Sequence, residues 1–299
     1  MRKIILAEGT EFSQVIAGFM RVSDAGMTPE AVLRFVEQCL DLGVTSFDHA
    51  DIYGNYSCET IFGQAVLAKK PGLRQQMQII TKTGIVLPGR EGNSSLYYDT
   101  SMQHILKQVD HSLSNLQTDY IDLLLIHRPD PLADHQSIAR AFETLTKAGK
   151  VRHFGVSNFS PLEFDALQKN LPFKLVTNQV EFSVSAPQVL FDGTVSHAQM
   201  HSMPLIAWSP LAGGRIFHDT DTTAIRLRVK LSEIAKRYQL DSIDKVMYAW
   251  LLMHPVGVGV ITGTMNIDRI AAAVDMTDFS LTRQEWFEIL EASRGYSVP

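Results

Sequence analysis

The feature that most constrains the fold is an eightfold alternation of short apolar segments with longer amphipathic ones. The apolar segments, which we expect to be strands, are residues 15–20, 45–48, 78–82, 121–127, 154–157, 175–179, 205–209 and 258–262. Most are continuous apolar runs, which is typical of parallel strands buried on both faces. The pattern therefore predicts a parallel sheet whose strands are joined by crossover helices.

Helix-start and helix-stop signals support the segments between these strands as helices. Thr28 followed by Pro29 is a typical N-cap with proline in the first turn, and Gly43 supplies the stop fifteen residues later. Ser160 and Glu163 have the spacing of a capping box. We therefore expect a helix to begin after each of these two caps.

Eight strand-helix units fit a single closed (β/α)8 barrel that comprises residues 1–299. Barrels of this kind reach about 250 residues as one domain, so the length does not require a second domain. No G-x-G-x-x-G follows the first strand, which argues against an open dinucleotide-binding sheet. Residues 1–12 precede the first barrel strand, and we expect them to form a β-hairpin that caps the bottom of the barrel.

Composition excludes several classes of partner. The net charge is -5 and no long run of lysine or arginine occurs, so nucleic acid is not an expected partner. No apolar run approaches the roughly 18 residues needed to span a bilayer, and the first one ends at Glu8, too early for a secretory signal. Cys39 and Cys58 lack the spacing of a metal or disulfide motif. We expect a cytoplasmic protein, and no feature of the sequence indicates its oligomeric state.

Polar residues that end the second, third and fourth strands are the candidates for catalysis, because barrel active sites form at the carboxyl ends of strands. These residues are Asp48, Lys82 and His127, and Tyr53 follows Asp48 by five positions. A tyrosine, whose ordinary pKa is near 10, needs a nearby cation to exchange a proton at neutral pH. Lys82 can supply that charge and Asp48 can hold it, while His127 can hydrogen-bond a substrate carbonyl. Reduction of that carbonyl would also need a hydride, which no side chain can donate, so the reaction requires a cofactor.

Six ordered motifs resemble those of the aldo-keto reductases. They are residues 47–54 (FDHADIYG) with Glu59 and Gly63, residues 80–84 (ITKTG), 124–129 (LLIHRP), 149–159 (GKVRHFGVSNF), 178–181 (NQVE) and 207–211 (AWSPL). The resemblance extends over nearly the whole chain, and within the family it points to the bacterial YdhF-type oxidoreductases. It implies an oxidoreductase that reduces aldehydes or ketones with NADPH.

The resemblance also implies a role for each matching residue. Tyr53 would be the general acid, Lys82 and Asp48 would tune it, and His127 would orient the carbonyl. The positions implied to contact the cofactor run from the nicotinamide (Ser157, Asn158, Gln179 and, by stacking, Trp208) along the pyrophosphate (Ser209, Leu211, Gly213) to the 2′-phosphate (Thr264, Arg269).

Three departures from the family pattern affect these expectations. His49 occupies a position where a small residue is usual, and the lysine usual after the last strand is missing beside Thr264. Ala272 and Ala273 replace polar residues that often contact adenine. Arg269 can still bind a phosphate with two hydrogen bonds, so NADPH is favoured over NADH.

Two other functions are compatible with parts of the sequence. A metal-dependent barrel hydrolase could use His49, Asp51 and His127 as ligands, but this reading leaves Tyr53 and Lys82 unexplained. An NADPH-binding regulator with little turnover is the second, since fold does not determine function.

If the protein is an enzyme, its short loops predict a shallow substrate pocket for small carbonyl compounds, with aromatic walls from Phe19, Tyr56 and Phe159.

Overall fold

The computed structural model describes residues 1–7 and 9–297. Its strands are β1 (Lys3–Ala7), β2 (Thr10–Ser13), β3 (Val15–Gly18), β4 (Ser46–Asp48), β5 (Gln78–Thr83), β6 (Ile85–Val86), β7 (Tyr97–Tyr98), β8 (Ile121–Ile126), β9 (Val151–Ser157), β10 (Asn178–Glu181), β11 (Leu205–Trp208) and β12 (Val258–Thr262). Eight of them close a parallel barrel in the order β10-β11-β12-β3-β4-β5-β8-β9. The predicted barrel is confirmed.

The α-helices surround this barrel. They are α1 (Pro29–Asp41), α2 (Tyr53–Tyr56), α3 (Cys58–Phe62), α4 (Met102–Leu116), α5 (His135–Lys147), α6 (Pro161–Gln168), α7 (Thr194–Met200), α8 (Thr222–Arg237), α9 (Ile243–Leu252), α10 (Ile267–Asp275) and α11 (Arg283–Arg294). Both predicted caps are present: Thr28 accepts a hydrogen bond from the amide of Ala31, and Ser160 and Glu163 form the capping box. No helix among the described residues is long and apolar enough to cross a membrane.

The N-terminal hairpin predicted from residues 1–12 is formed by the antiparallel strands β1 and β2. Ile4, Leu6 and Phe12 of this hairpin are buried in one cluster with side chains from the barrel strands, among them Ile16 and Ile80. The hairpin therefore closes one end of the barrel interior, which leaves the carboxyl ends of the strands at the other end.

Two local features differ from the sequence-based expectation. The sixth barrel strand was expected at residues 175–179, but β10 begins at Asn178. The preceding residues already run beside β9, because the amide of Val176 donates to the carbonyl of Phe154. The second feature is the hairpin β6–β7 in the loop after β5, whose strands of two residues each are too short to leave a periodic pattern.

Candidate active site

The carboxyl ends of three neighbouring strands bring the catalytic candidates together. Asp48 is the last residue of β4, Lys82 lies in β5, and His127 directly follows β8. Tyr53 begins α2, and the next three residues all have left-handed backbone angles, which turns the chain sharply after it. We call Asp48, Tyr53, Lys82 and His127 the tetrad.

Lys82 is the centre of the tetrad and is completely buried. Its Nζ lies 2.8 Å from each carboxylate oxygen of Asp48, 2.7 Å from the carbonyl oxygen of His49 and 3.1 Å from the hydroxyl of Tyr53. The three N–H groups of the ammonium thus have acceptors on three different residues. A buried charge with this set of partners is held in one position.

Burial and charge act in opposite directions on the two proton-carrying groups of the tetrad. Burial raises the pKa of the Tyr53 hydroxyl, and the positive charge of Lys82 only partly offsets this effect. Burial would lower the pKa of Lys82, but the attraction of Asp48 and Tyr53 outweighs it and the pKa is raised. At neutral pH the site therefore holds a protonated tyrosine next to a permanent cation, the form required of a proton donor.

His127 is the fourth member of the tetrad, and its ring centroid lies 5.9 Å from that of Tyr53. Burial, together with the charges of Lys82 and Arg128, holds the pKa of His127 well below its ordinary value. The ring is neutral at neutral pH, so one nitrogen carries a proton that can be donated to an oxygen. Neutral histidine and protonated tyrosine are a suitable pair of donors for a carbonyl oxygen that gains negative charge.

A cavity of about 880 Å³ opens above the tetrad. Its walls include Asp48, Tyr53 and His127 of the tetrad and every residue that the sequence implied for cofactor contact: Ser157, Asn158, Gln179, Trp208, Ser209, Leu211, Gly213, Thr264 and Arg269. The cavity thus connects the ends of the barrel strands with the first turn of α10. Its size and its continuity from the tetrad to Arg269 fit a nicotinamide dinucleotide.

The four residues implied for the nicotinamide are linked to each other. Asn158 donates to the Ser157 hydroxyl at 2.8 Å and accepts from the Trp208 indole N–H at 2.9 Å. The Ser157 hydroxyl donates to the backbone carbonyl of Gln179, whose side-chain amide donates to Asp48 at 2.9 Å. These bonds connect the tetrad with the wall of the cavity and hold the half-buried Trp208 ring in place.

The segment after β11 and the start of α10 also line the cavity. Ser209 and Gly213 have φ angles of 51° and 67°, so the backbone turns twice along this wall. Arg269 is exposed in the first turn of α10, where backbone N–H groups favour anions. Asp244 also lines the cavity and is an acidic residue that the motifs did not indicate.

The prediction of aromatic walls for the substrate pocket was wrong. Phe19 is fully buried against other rings and, like Tyr56 and Phe159, does not line the large cavity. The lining of that cavity instead includes Met20, Arg21, Asp24 and Arg128. Arg128 lies in the motif of residues 124–129 but was given no role there, and the other three side chains lie outside every motif. Their position depends on how the loops after the strands pack against each other.

His49 and its neighbours were the alternative ligand set for a metal. The His49 ring is fully buried, with its centroid 5.1 Å from that of Phe19 and 4.7 Å from that of Phe62. Within the described part of the chain, His49, Asp51 and His127 do not form a group of converging ligands. One group of that kind occurs elsewhere, on the outside of the barrel.

Comparisons with known proteins agree with this architecture. The model of the Aldo/keto reductase family matches residues 14–294. The chain is 47% identical to oxidoreductase YdhF of Escherichia coli, covering all of this chain and 99% of that protein, and 40% identical to a 6-dehydroglucose reductase of Agrobacterium fabrum over the full length of both. The structure of glycerol dehydrogenase AKR11B4 from Gluconobacter oxydans superposes with a TM-score of 0.85 at 25% identity, covering 99% of this chain and 97% of that one.

Proposed function

The chain belongs to the aldo/keto reductase family of oxidoreductases, which use nicotinamide cofactors, and we propose that it reduces an aldehyde or ketone to an alcohol with NADPH. The observation that carries this proposal is the contact of 3.1 Å between the Lys82 ammonium and the Tyr53 hydroxyl at the wall of the large cavity. A buried ion pair with a purely structural role would not require a tyrosine hydroxyl between it and a cavity.

The proposed roles follow from the position and charge of each side chain. Tyr53 donates its proton to the carbonyl oxygen of the substrate, and Lys82 stabilises the phenolate that remains. Asp48 holds Lys82, and the neutral His127 donates a hydrogen bond to the same substrate oxygen. When bound, the reduced nicotinamide supplies a hydride for the carbonyl carbon. Donors that face the developing negative charge stabilise the transition state more than the ground state.

We propose Ser157, Asn158, Gln179 and Trp208 for the nicotinamide, and Ser209, Leu211 and Gly213 for the pyrophosphate. Thr264 and Arg269 would contact the 2′-phosphate that distinguishes NADPH from NADH. Support for this assignment is the single cavity that all nine residues line, Arg269 among them. A guanidinium can bind a phosphate through two parallel hydrogen bonds.

For the substrate we propose a small, polar carbonyl compound. Beyond the tetrad and the residues assigned to the cofactor, the cavity is lined by charged side chains that include Arg21, Asp24 and Arg128, and such side chains form hydrogen bonds to hydroxyl groups. The name of the Agrobacterium relative refers to an oxidised sugar, which agrees with a polyhydroxylated substrate. We therefore expect glyceraldehyde to be reduced with a higher kcat/KM than benzaldehyde.

The test of the catalytic role is the variant Tyr53→Phe. Loss of the proton donor should lower kcat by roughly 10²–10⁴-fold. The Kd for NADPH should stay within about twofold of the wild-type value, because the hydroxyl is assigned to the substrate. The measurements are absorbance loss of NADPH with each aldehyde and fluorescence titration of NADPH.

Tyr56→Phe is the matched control for this experiment. Tyr56 is three residues away, and its hydroxyl accepts a hydrogen bond from the amide of Leu87 outside the cavity. Its removal should leave kcat unchanged within about threefold. Equal turnover by wild type and Tyr53→Phe would remove Tyr53 from the mechanism. If the wild type binds NADPH but reduces neither aldehyde nor a wider panel of carbonyls, the regulator becomes the better interpretation.

A further inference from the structure

A cluster of one aspartate and two histidines lies outside the cavity, on the outer side of the barrel. Asp165 comes from α6, His197 from α7, and His201 directly follows α7. One potential ligand atom from each of the three lies within 4.8 Å of the others. None of the three residues lines the large cavity, so the proposed reaction does not use them.

The local structure places both histidines on one face of the same helical turn. The amide of His201 donates to the carbonyl of His197, so the helical geometry continues to the second histidine. Residues four apart in a helix are neighbours on its surface, and the two ring centroids are 4.5 Å apart. Phe164, adjacent in sequence to Asp165, packs against both rings at centroid distances of 5.0 Å and 6.0 Å.

Both imidazoles direct the same nitrogen toward the same oxygen. The Nε2 atom of His197 lies 2.8 Å from Oδ1 of Asp165, and that of His201 lies 3.4 Å from it. The contact with Asp165 at 2.8 Å is sufficient to hold His197 by a hydrogen bond, so the approach of His201 to the same oxygen is an additional contact. Three potential ligand atoms that converge in this way can occupy part of the coordination sphere of one metal ion.

We propose that Asp165, His197 and His201 bind a divalent transition-metal ion, with Zn²⁺ as the best match. Zinc takes histidine nitrogens and carboxylate oxygens at about 2.0–2.2 Å, which places tetrahedral ligand atoms roughly 3.4 Å apart. The His201–Asp165 distance already has this value. Water would complete the tetrahedron at the exposed side, as in other sites with three protein ligands.

The exposure of the three residues matches the adjustment that the ion requires. The side chain of His197 is 8% exposed and fixed by packing, whereas those of Asp165 and His201 are 47% and 38% exposed. Asp165 can therefore move a few tenths of an ångström away from His197 to admit the ion without disturbing the core. The bound ion would tie α6 to α7, the helices that follow β9 and β10.

The choice of ion follows from the ligand types. Two imidazoles and one carboxylate are intermediate in hardness, which suits Zn²⁺, Co²⁺, Ni²⁺ or Cu²⁺ better than Mg²⁺ or Ca²⁺, which prefer oxygen ligands only. Co²⁺ is a useful probe because it absorbs visible light strongly in a tetrahedral site. We therefore expect visible absorption bands to appear when Co²⁺ is added to the wild-type chain.

The experiment is calorimetric titration of the untagged, chelator-treated chain with Zn²⁺. The variants are His201→Gln and Asp165→Asn, both at exposed positions, so that loss of the fold does not obscure the result. His111→Gln is the matched control, because His111 is an exposed histidine of α4 outside the cluster. Thermal unfolding with and without Zn²⁺ gives a second readout.

The expected result is one Zn²⁺ per wild-type chain and per His111→Gln chain, with at least about tenfold weaker binding by each of the other two variants. Saturating Zn²⁺ should raise the Tm of the wild type by about 3–6 °C and leave that of His201→Gln unchanged. The absence of Zn²⁺ binding by the wild type would overturn the proposal. Full affinity retained by either cluster variant would overturn it as well, since the ion would then be bound elsewhere.

Discussion

His49 lies next to Asp48 in the chain but has a different environment. Its ring packs between Phe19 and Phe62, and neither ring nitrogen has a hydrogen-bond partner among the described residues. Burial, assisted by the charge of Lys82, lowers its pKa to about 3. A neutral imidazole whose polar atoms are both unpaired costs stability, typically about 1–3 kcal/mol.

We predict that His49→Leu stabilises the protein, and more so in acid. In the unfolded chain His49 has its ordinary pKa near 6.5, so below pH 6.5 the unfolded state takes up a proton that the native state does not. The native state therefore keeps its full stability with respect to this titration above pH 6.5. It loses stability as the pH falls toward 3, because the unfolded state gains a proton that the native ring does not take up. Relative to the wild type, the variant should gain about 1 kcal/mol at pH 7 and about 2 kcal/mol more at pH 5.

Urea unfolding at both pH values measures this difference directly. His127, whose pKa is also lowered by burial, is present in both proteins, so its contribution cancels in the comparison. A gain for His49→Leu that is the same at pH 5 and pH 7 would show that the ring is already protonated or solvated in the native state.

At the scale of elements, Gly63 shows why the first motif contains a glycine at that position. Its backbone angles are ordinary for a helix, so no conformational requirement calls for glycine. A Cβ atom there would lie 2.0 Å from the carbonyl oxygen of Asn115 and 2.9 Å from Cα of Leu116, at the end of α4. The glycine therefore permits direct contact between the segment Gly63–Leu67 and the backbone of α4.

We predict that Gly63→Ala destabilises the protein by about 1–3 kcal/mol or more, because backbone atoms have to move. Gly72→Ala is the control: a Cβ there meets no atom within 4 Å, and replacement of an unstrained glycine typically stabilises by about 0.4–1 kcal/mol. The urea midpoints of the two variants should move in opposite directions. Similar midpoints would mean that α4 shifts without cost.

At the scale of the whole molecule, the cavity joins elements that are distant in the chain, from the tetrad to α10. A dinucleotide bound along it should stabilise the fold, and at a given concentration the stabilisation rises with the logarithm of the affinity. We predict a larger rise in Tm with NADPH than with NADH. In Arg269→Ala this preference should fall by about ten- to a hundredfold in Kd, since a hydrogen bond to a charged group contributes roughly 1.5–3 kcal/mol.

Arg283→Ala is the matched control for the cofactor preference. Arg283 occupies the first turn of α11, as Arg269 does that of α10, but it does not line the cavity. The variant should keep the wild-type ratio of NADPH to NADH affinity, as measured by fluorescence titration. If Arg269→Ala keeps that ratio too, Arg269 does not recognise the 2′-phosphate. Either another residue binds this phosphate, or the negative charge of Asp244 in the same cavity offsets the charge of Arg269.

The sequence alone was sufficient for the order of the eight barrel strands and for the position of the tetrad. Apolar runs buried on both faces, helix caps and turn glycines are local signals, and each depends on residues a few positions apart. The eight parallel strands are joined by seven crossovers, which are right-handed in nearly all proteins, and this arrangement places all the carboxyl ends on one side. Asp48, Lys82 and His127 then come together from their positions at the strand ends.

The contacts between side chains that are distant in the chain were decided by the tertiary structure alone. Gln179 was expected at the nicotinamide, yet its amide also donates to Asp48, 131 positions away. The cavity walls at Arg21 and Arg128 and the cluster of Asp165, His197 and His201 arise only when separate loops and helices pack side by side. Periodicity and spacing report what neighbours along the chain require, whereas such contacts depend on the distance and direction of side chains from different elements.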